Sequence, residues 1–231
     1  MQGRTMYNIL FRFPSAQTRL GRFIRNPNVY RVLEFPLRLI THPLIMPILQ
    51  GPLSGKLWVS KSGTPRYWLG MYELSKQEKF CDYLSPGNTV YDVGANVGFY
   101  TLLASELVGI TGKVYSFEPS PKNTCLLYKN MEINRVKNAH VLELAIGGRV
   151  GKAGFKENGI FGSLSDEGNL MVTLETLDHL VEIQAIQPPN LIKIDVEGAE
   201  EDVIRGGDKI IQKYRPCCLL QPIISQSIIK L

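Results

Sequence analysis

The strongest constraint on this chain is the passage Tyr91-Asp92-Val93-Gly94-Ala95-Asn96-Val97-Gly98-Phe99-Tyr100. The short run Thr89-Val90-Tyr91 leads into an acid and two glycines four apart, and an apolar segment of helical spacing follows at once. Strand, tight glycine loop and helix is the conformation this pattern allows. The alternation then repeats. Strand-like runs at 89–93, 113–118, 140–146, 191–196 and 217–221 alternate with helical runs at about 97–108, 121–134 and 198–214. Such an order predicts an α/β fold with a mainly parallel sheet and right-handed crossovers.

Local chemistry marks the boundaries. Ser120 before Pro121 predicts an N-cap followed by a first-turn proline. Val203, Ile204, Gly207, Ile210, Ile211 and Tyr214 share one face of the last helix, which Arg215-Pro216 stops. Residues 66–84 read as a helix ending before Ser85-Pro86-Gly87. Between Gly147 and Pro189 the pattern changes to glycine-rich, polar segments with short β-like runs. This predicts a hairpin-bearing insertion, with a short helix over Leu174–Leu180. The chain therefore divides into a lead-in, residues 1–65, and a domain, residues 66–231.

Charge separates the same two parts. Residues 1–56 hold eight basic residues, seven of them arginine, against the single acid Glu34. The remaining 18 basic residues face 20 acids, so the body carries no basic excess. That disfavours a nucleic-acid partner for the body. The arm, with its arginines among Phe11, Phe13, Leu20, Phe23 and Ile24, has the composition to fold back on the domain, to lie on an anionic membrane surface, or to serve in targeting. The apolar region Val32–Leu49 is broken by Glu34, Arg38 and three prolines, so no membrane span is expected. The expected location is cytoplasmic, with peripheral membrane contact through the arm as an alternative. Cys81, Cys125, Cys217 and Cys218, and the three histidines, show no metal-ligand spacing; buried, reduced thiols are expected.

Four groups of chemistry-bearing residues fall at strand ends, where open parallel sheets take ligands. The first is Asp92-x-Gly94-x-Asn96-x-Gly98, with Ala95 and Phe99 in the same turn. A dinucleotide fingerprint would place glycine where Asn96 stands, and Asp92 would repel a pyrophosphate. A cationic or zwitterionic ligand suffers no such repulsion, so the loop points to S-adenosylmethionine, with Asp92 accepting from loop amides or facing the ligand ammonium. The second is Glu118, 24 residues after Gly94 and followed by Pro119, placed to take hydrogen bonds from two ribose hydroxyls. The third is Leu144-Ala145-Ile146-Gly147, where Ala145 is a candidate wall for an adenine pocket. The fourth is Leu191-Ile192-Lys193-Ile194-Asp195-Val196-Glu197-Gly198. Alternation puts Lys193, Asp195 and Glu197 on one side. A charged triplet on a central strand is costly unless paired or used.

In order and spacing these motifs resemble those of class I S-adenosylmethionine-dependent methyltransferases, specifically the FkbM family. The residues that carry the resemblance are Trp68–Glu73, Tyr91–Tyr100, Ser116–Ser120, Asn130 with Asn134, Thr176-Leu177-Asp178 and Ile192–Glu200. The resemblance implies a Rossmann-like methyltransferase sheet, S-adenosylmethionine as cofactor, and O-methylation of a hydroxyl on a sugar, glycan or natural product. Beside that implication, Asp195 is the first candidate for general base and Glu197 the second, with Lys193 tuning or balancing them. Tyr72 and Glu73, on the preceding helix, are candidates to close over the methionine end of the cofactor. A metal at Asp195 and Glu197 lacks a third ligand, so none is expected. Gln221 stands where the family usually has glutamate, and only a short apolar tail follows. The domain is therefore expected to be short of its last strands. A cofactor-binding remnant without activity and a nucleic-acid methyltransferase are the alternative readings.

Overall fold

The computed structural model describes residues 42–220 and the backbone of Ile228–Ile229; most of the arginine-rich arm and Gln221 lie outside the described residues. The chain divides into two compact units, Met1–Glu78 and Lys79–Leu231.

In the first unit, β1 (Ile45–Pro47) and β2 (Leu57–Val59) pair antiparallel. Trp58 on β2 is fully buried and stacks on Tyr67 at 5.2 Å, and Tyr67 stacks on Tyr72 at 4.2 Å. The helix predicted from residue 66 begins only at Leu74, as α1 (Leu74–Tyr83), which runs across the division between the units. Gly70 and Glu73 adopt φ of 69° and 45°, left-handed values that a right-handed helix excludes. Tyr72 and Glu73 therefore lie in turns ahead of α1 rather than on it.

In the second unit the predicted alternation folds as β3 (Thr89–Val93), α2 (Phe99–Val108), β4 (Lys113–Phe117), α3 (Pro121–Ile133) and β5 (Ala139–Leu142). After the insertion come β10 (Leu191–Ile194), α5 (Glu200–Gly206), α6 (Asp208–Tyr214), β11 (Cys217–Leu220) and β12 (Ile228–Ile229). The sheet order is β12-β11-β10-β3-β4-β5. All neighbours are parallel except β12, which pairs antiparallel with β11. The chain leaves β3 toward β4 and returns later to β10 on β3's other side. A crevice opens at such a switch point, at the carboxyl ends of the strands.

The two faces of the sheet have different contents. One carries Tyr91, Phe117, Ile192 and Ile194 against Leu177, Val203, Ile210 and Ile211. The other carries Asp92, Ser116 and Lys193, all buried, beneath Thr101 of α2.

The predicted strand 140–146 is two strands in two sheets. β5 ends at Leu142, and β6 (Ala145–Ile146) pairs with β9 (Leu170–Glu175) of the insertion. There β7 (Gly151–Asn158) and β8 (Phe161–Leu164) form the expected hairpin, giving a second sheet of order β6-β9-β7-β8. The short helix expected over 174–180 is α4 (Leu177–Glu182), because Leu174 and Glu175 still pair with β6.

Ser120 caps α3 as predicted, accepting from the Asn123 amide, with Pro121 in the first turn. The predicted helix 198–214 is divided at Gly207, whose φ of −117° is not helical. That leaves α6 without a side-chain cap of its own. Asp178 supplies one from α4: its Oδ1 accepts from Ile210 N at 2.9 Å and its Oδ2 from Lys209 N at 3.1 Å. The Thr176-Leu177-Asp178 segment is thus a structural clamp between helices.

Among the described residues the thiols are not all buried as expected. Cys218 is, and burial aided by Cys217 pushes its thiol up to about 11; Cys125 is exposed, while Cys81 and Cys217 are half-buried.

Loss of an N-cap costs about 0.5–2 kcal/mol. Asp178→Ala is expected to destabilise the protein by about 1 kcal/mol in urea unfolding. Asp178→Asn, which keeps one acceptor, should cost less.

Candidate active site

The glycine loop is held from three sides. Gly94 N and Ala95 N both donate to Phe117 O at 3.0 Å, which fixes its entry against β4. Gly94 has φ 73°, and a Cβ there would lie on the carbonyl oxygen of Asp195. Only glycine lets the ends of β3 and β10 approach this closely. At the loop's exit Gly98 caps α2 with φ 90°, and a Cβ there would crowd Leu127 of α3 at 2.9 Å. Asn130 of α3 donates to Val97 O at 2.9 Å, and Asn134 donates to Asn130 O at 2.8 Å. The paired asparagines of the sequence motif support the loop from behind.

Asp92 is wholly buried and does not face the crevice. Its Oδ2 accepts from Thr101 Oγ1 at 2.7 Å, and Thr101 Oγ1 lies 2.8 Å from Ser116 Oγ. Lys193 is its Cα partner across the β3–β10 ladder. The Lys193 ammonium sits 2.9 Å from Asp92 Oδ1, close enough for charge pairing though outside hydrogen-bond angles. The same ammonium donates to Gly94 O at 2.9 Å and lies 5.2 Å from the centre of the Tyr100 ring. The expected contact of Asp92 with loop amides or a ligand ammonium is replaced by this pair, because its carboxylate points under α2.

Lys193 also lies 3.9 Å from Asp195 Oδ2, so the predicted neighbourhood of those two holds. Asp195 remains in register with β3, donating its amide to Val93 O at 3.0 Å, and its side chain is 18% exposed. Glu197 departs from the predicted alignment: its φ of 51° turns the backbone and the residue is exposed. Left-handed geometry at a non-glycine residue is strained.

Glu118 ends β4 at 4% exposure. Its Oε2 accepts from Asn96 N at 2.8 Å; its Oε1 accepts from Ser120 N at 3.0 Å and Asn123 Nδ2 at 3.2 Å. Burial pushes this carboxyl above the usual glutamate range, against the lowering effect of those donors and of Lys193. Asn96 has φ 51° and uses its side chain twice, accepting from Val97 N at 2.7 Å and donating to Ile160 O at 2.6 Å.

The loop, Glu118, Lys193 and Asp195 therefore gather around the switch point, with Ala95 and Phe99 buried in the loop and Pro119 beside Glu118. Ala145 lies in the small sheet. It packs with Phe155, Val172 and Leu174 in the small sheet, because β6 has already left the large one. Tyr72 and Glu73 belong to the first unit, where Tyr72 is stacked on Tyr67 and Glu73 pairs with Lys76 at 2.5 Å. Sequence reading missed Thr101, Asn123 and Ile160 as neighbours of the site. Asn123 carried a faint signal, three residues after a capping serine; Ile160 carried none.

Residues 92–226, more than half of the chain, match the methyltransferase FkbM domain. The chain belongs to the FkbM methyltransferase family. This is a family of S-adenosylmethionine-dependent methyltransferases, and the sheet has their Rossmann-like order. A hexuronic acid methyltransferase, AglP, from Haloferax volcanii is 28% identical over 130 residues, covering 54% of this chain and 52% of that protein. A 2-O-methyltransferase, NoeI, from Sinorhizobium fredii is 27% identical over 153 residues, covering 56% and 61%. The chain thus spans about half to three-fifths of the length of the curated relatives it matches. A solved FkbM methyltransferase from Methylobacillus flagellatus covers 69% of this chain and 45% of its own at 16% identity, with a TM-score of 0.42.

Removing one partner of a buried ion pair costs about 3–5 kcal/mol, because the other charge is left uncompensated. Lys193→Met is expected to lose that much in urea unfolding. Combining it with Asp92→Asn should recover at least about 1 kcal/mol relative to the sum of the single changes, the mark of direct coupling.

Proposed function

We propose that the protein transfers the methyl group of S-adenosylmethionine to a hydroxyl of a saccharide. The observation that carries this reading is the position of Asp195: its carboxylate is partly open and lies 3.9 Å from Lys193 Nζ, and its backbone carbonyl packs against Gly94 of the glycine loop. The two relatives whose names state sugar-type and 2-O-methyl transfer support the saccharide class.

The residues fit the cofactor. Glu118 has acceptor capacity beyond its three donors, since a carboxylate offers about four lone-pair positions. Beside it Asn123 Oδ1 is buried with no hydrogen-bond partner, an acceptor waiting for a donor such as a ribose hydroxyl. Gly94–Gly98 and the start of α2 would hold the amino-acid end, where backbone N–H groups favour a carboxylate.

The cofactor supplies an activated methyl group on a sulfonium centre. The protein's task is to align an acceptor oxygen in line with it and to remove that oxygen's proton. Asp195 accepts the hydroxyl proton and passes it to water through its exposed edge. Lys193, 3.9 Å from Asp195 Oδ2 and bonded to Gly94 O, holds Asp195 beside the loop. Glu197, exposed and strained on the following turn, orients the acceptor.

Labelled S-adenosylmethionine incubated with a glycan pool should give a methylated product identified by mass spectrometry. General base catalysis contributes about 10²–10⁴-fold. Asp195→Asn is therefore expected to lower turnover by roughly 10²-fold or more while cofactor affinity stays nearly constant. An unchanged turnover would remove Asp195 as base.

Glu118 gives a pH signature. Its folded value is raised, so folding favours the protonated carboxyl. That stabilisation is full below the unfolded-state value and is lost as pH rises through the folded one. Cofactor binding has the opposite trend, because ribose hydroxyls need the ionised form. Affinity for S-adenosylhomocysteine, measured by calorimetry, is expected to fall on acidification at a higher pH than an ordinary glutamate would give. Glu118→Gln should bind weakly and without that acid limb.

A further inference from the structure

The tip of the β7–β8 hairpin reaches the same residues that frame Glu118. Ile160 O accepts from Asn96 Nδ2 at 2.6 Å and from Asn123 Nδ2 at 3.0 Å. Gly159 O accepts from Lys122 Nζ at 3.1 Å, and the Glu157 carboxylate accepts from the Ser120 hydroxyl. Asn96 belongs to the glycine loop; Ser120, Lys122 and Asn123 belong to the start of α3. We infer that this tip, residues 157–161, is a latch that must release before the cofactor enters, and that Asn123 couples the latch to Glu118. The inference rests on the reading that ribose hydroxyls bind Glu118.

Three observations support it. First, the tip meets the site through hydrogen bonds. Phe161, its bulkiest side chain, is 54% exposed and Gly159 is exposed with φ 70°. Contacts of this kind exchange with water at small net cost, so the tip opens without unpacking a core. Second, the Asn123 amide is shared. It donates to Glu118 Oε1 at 3.2 Å and to Ile160 O at 3.0 Å at once. A hydroxyl arriving at Oε1 competes with that amide, and an amide that swings off Glu118 also leaves Ile160. Third, Asn123 Oδ1 is buried and unsatisfied while the tip is down. Reorientation of the side chain gives that oxygen a donor from the ligand. Latched and liganded arrangements thus exclude one another at a single side chain.

A latch of this kind lowers the population of binding-competent protein and slows association without altering the bound complex. The test is stopped-flow and calorimetric binding of S-adenosylhomocysteine to the full chain and to Lys122→Ala/Glu157→Ala. Both positions are exposed, and they carry the bonds to Gly159 O and the Ser120 hydroxyl. The double variant is expected to associate about three- to tenfold faster, the effect of losing two weak polar contacts. Its dissociation rate should be unchanged and its affinity tighter by the same factor. In the wild-type protein, amide exchange over residues 158–161 should speed up when S-adenosylhomocysteine is added. Binding that requires Glu118 but is equally fast in the double variant overturns the latch alone, as does slower tip exchange with ligand. No binding by either protein, or binding indifferent to Glu118→Ala, overturns the Glu118 reading and the latch with it.

Discussion

The pairing of Asp92 with Lys193 across the β3–β10 ladder holds the active-site end of the sheet in place. Two charges buried under α2 are tolerable only because each satisfies the other and the remaining polar atoms are engaged. Thr101 and Ser116 complete the carboxylate's side, while the Gly94 carbonyl and the Tyr100 ring receive the ammonium. The pair therefore joins three things that have to move together: the strand before the glycine loop, the loop itself, and the strand that ends in Asp195.

That union explains why the loop carries an acid at its entrance. The Asp92 carboxylate is buried under α2 and its charge is neutralised within the protein. On the proposed function, discrimination against a dinucleotide falls to Glu118 and to the shape of the turn, where Asn96 occupies a left-handed position and reaches toward the hairpin. Glu118 has two structural duties besides any ligand. It accepts the Asn96 amide of the loop and the Ser120 amide at the start of α3, so the carboxylate proposed to take the ribose also sets the geometry around it.

Much of this was legible in the residues. Thr89–Tyr100 read correctly as strand, loop and helix because glycine spacing and apolar periodicity agree there. Ser120-Pro121 read correctly as a cap because capping is a local, short-range preference. The failures share a cause. His140–Ile146 looks like one strand because its β propensity is continuous, yet the backbone changes sheets after Leu142, and what decides that is pairing with Leu174–Glu175 about thirty residues away. Residues 66–73 have helical composition but contain two left-handed residues that no propensity reveals. Gly207 looked like one more small residue on a helix face, whereas it divides two helices and leaves the second to be capped by Asp178.

The sequence by itself determined the glycine loop between strand and helix, the alternation that forces a parallel sheet, and three strand ends where polar residues collect, at Asp92, Glu118 and Asp195. These depend on local spacing and charge, which a linear chain displays. Only the tertiary structure decided which charges meet. Asp92 and Lys193 are about a hundred positions apart, and their meeting depends on register between β3 and β10. Asn123 and Ile160 are joined by a hairpin whose fold-back is set by pairing with β9. Long-range pairing of this kind follows from burial and ladder geometry rather than from any motif. The site's partners were therefore visible in the sequence as residue types, and their roles became visible only once the strands were aligned.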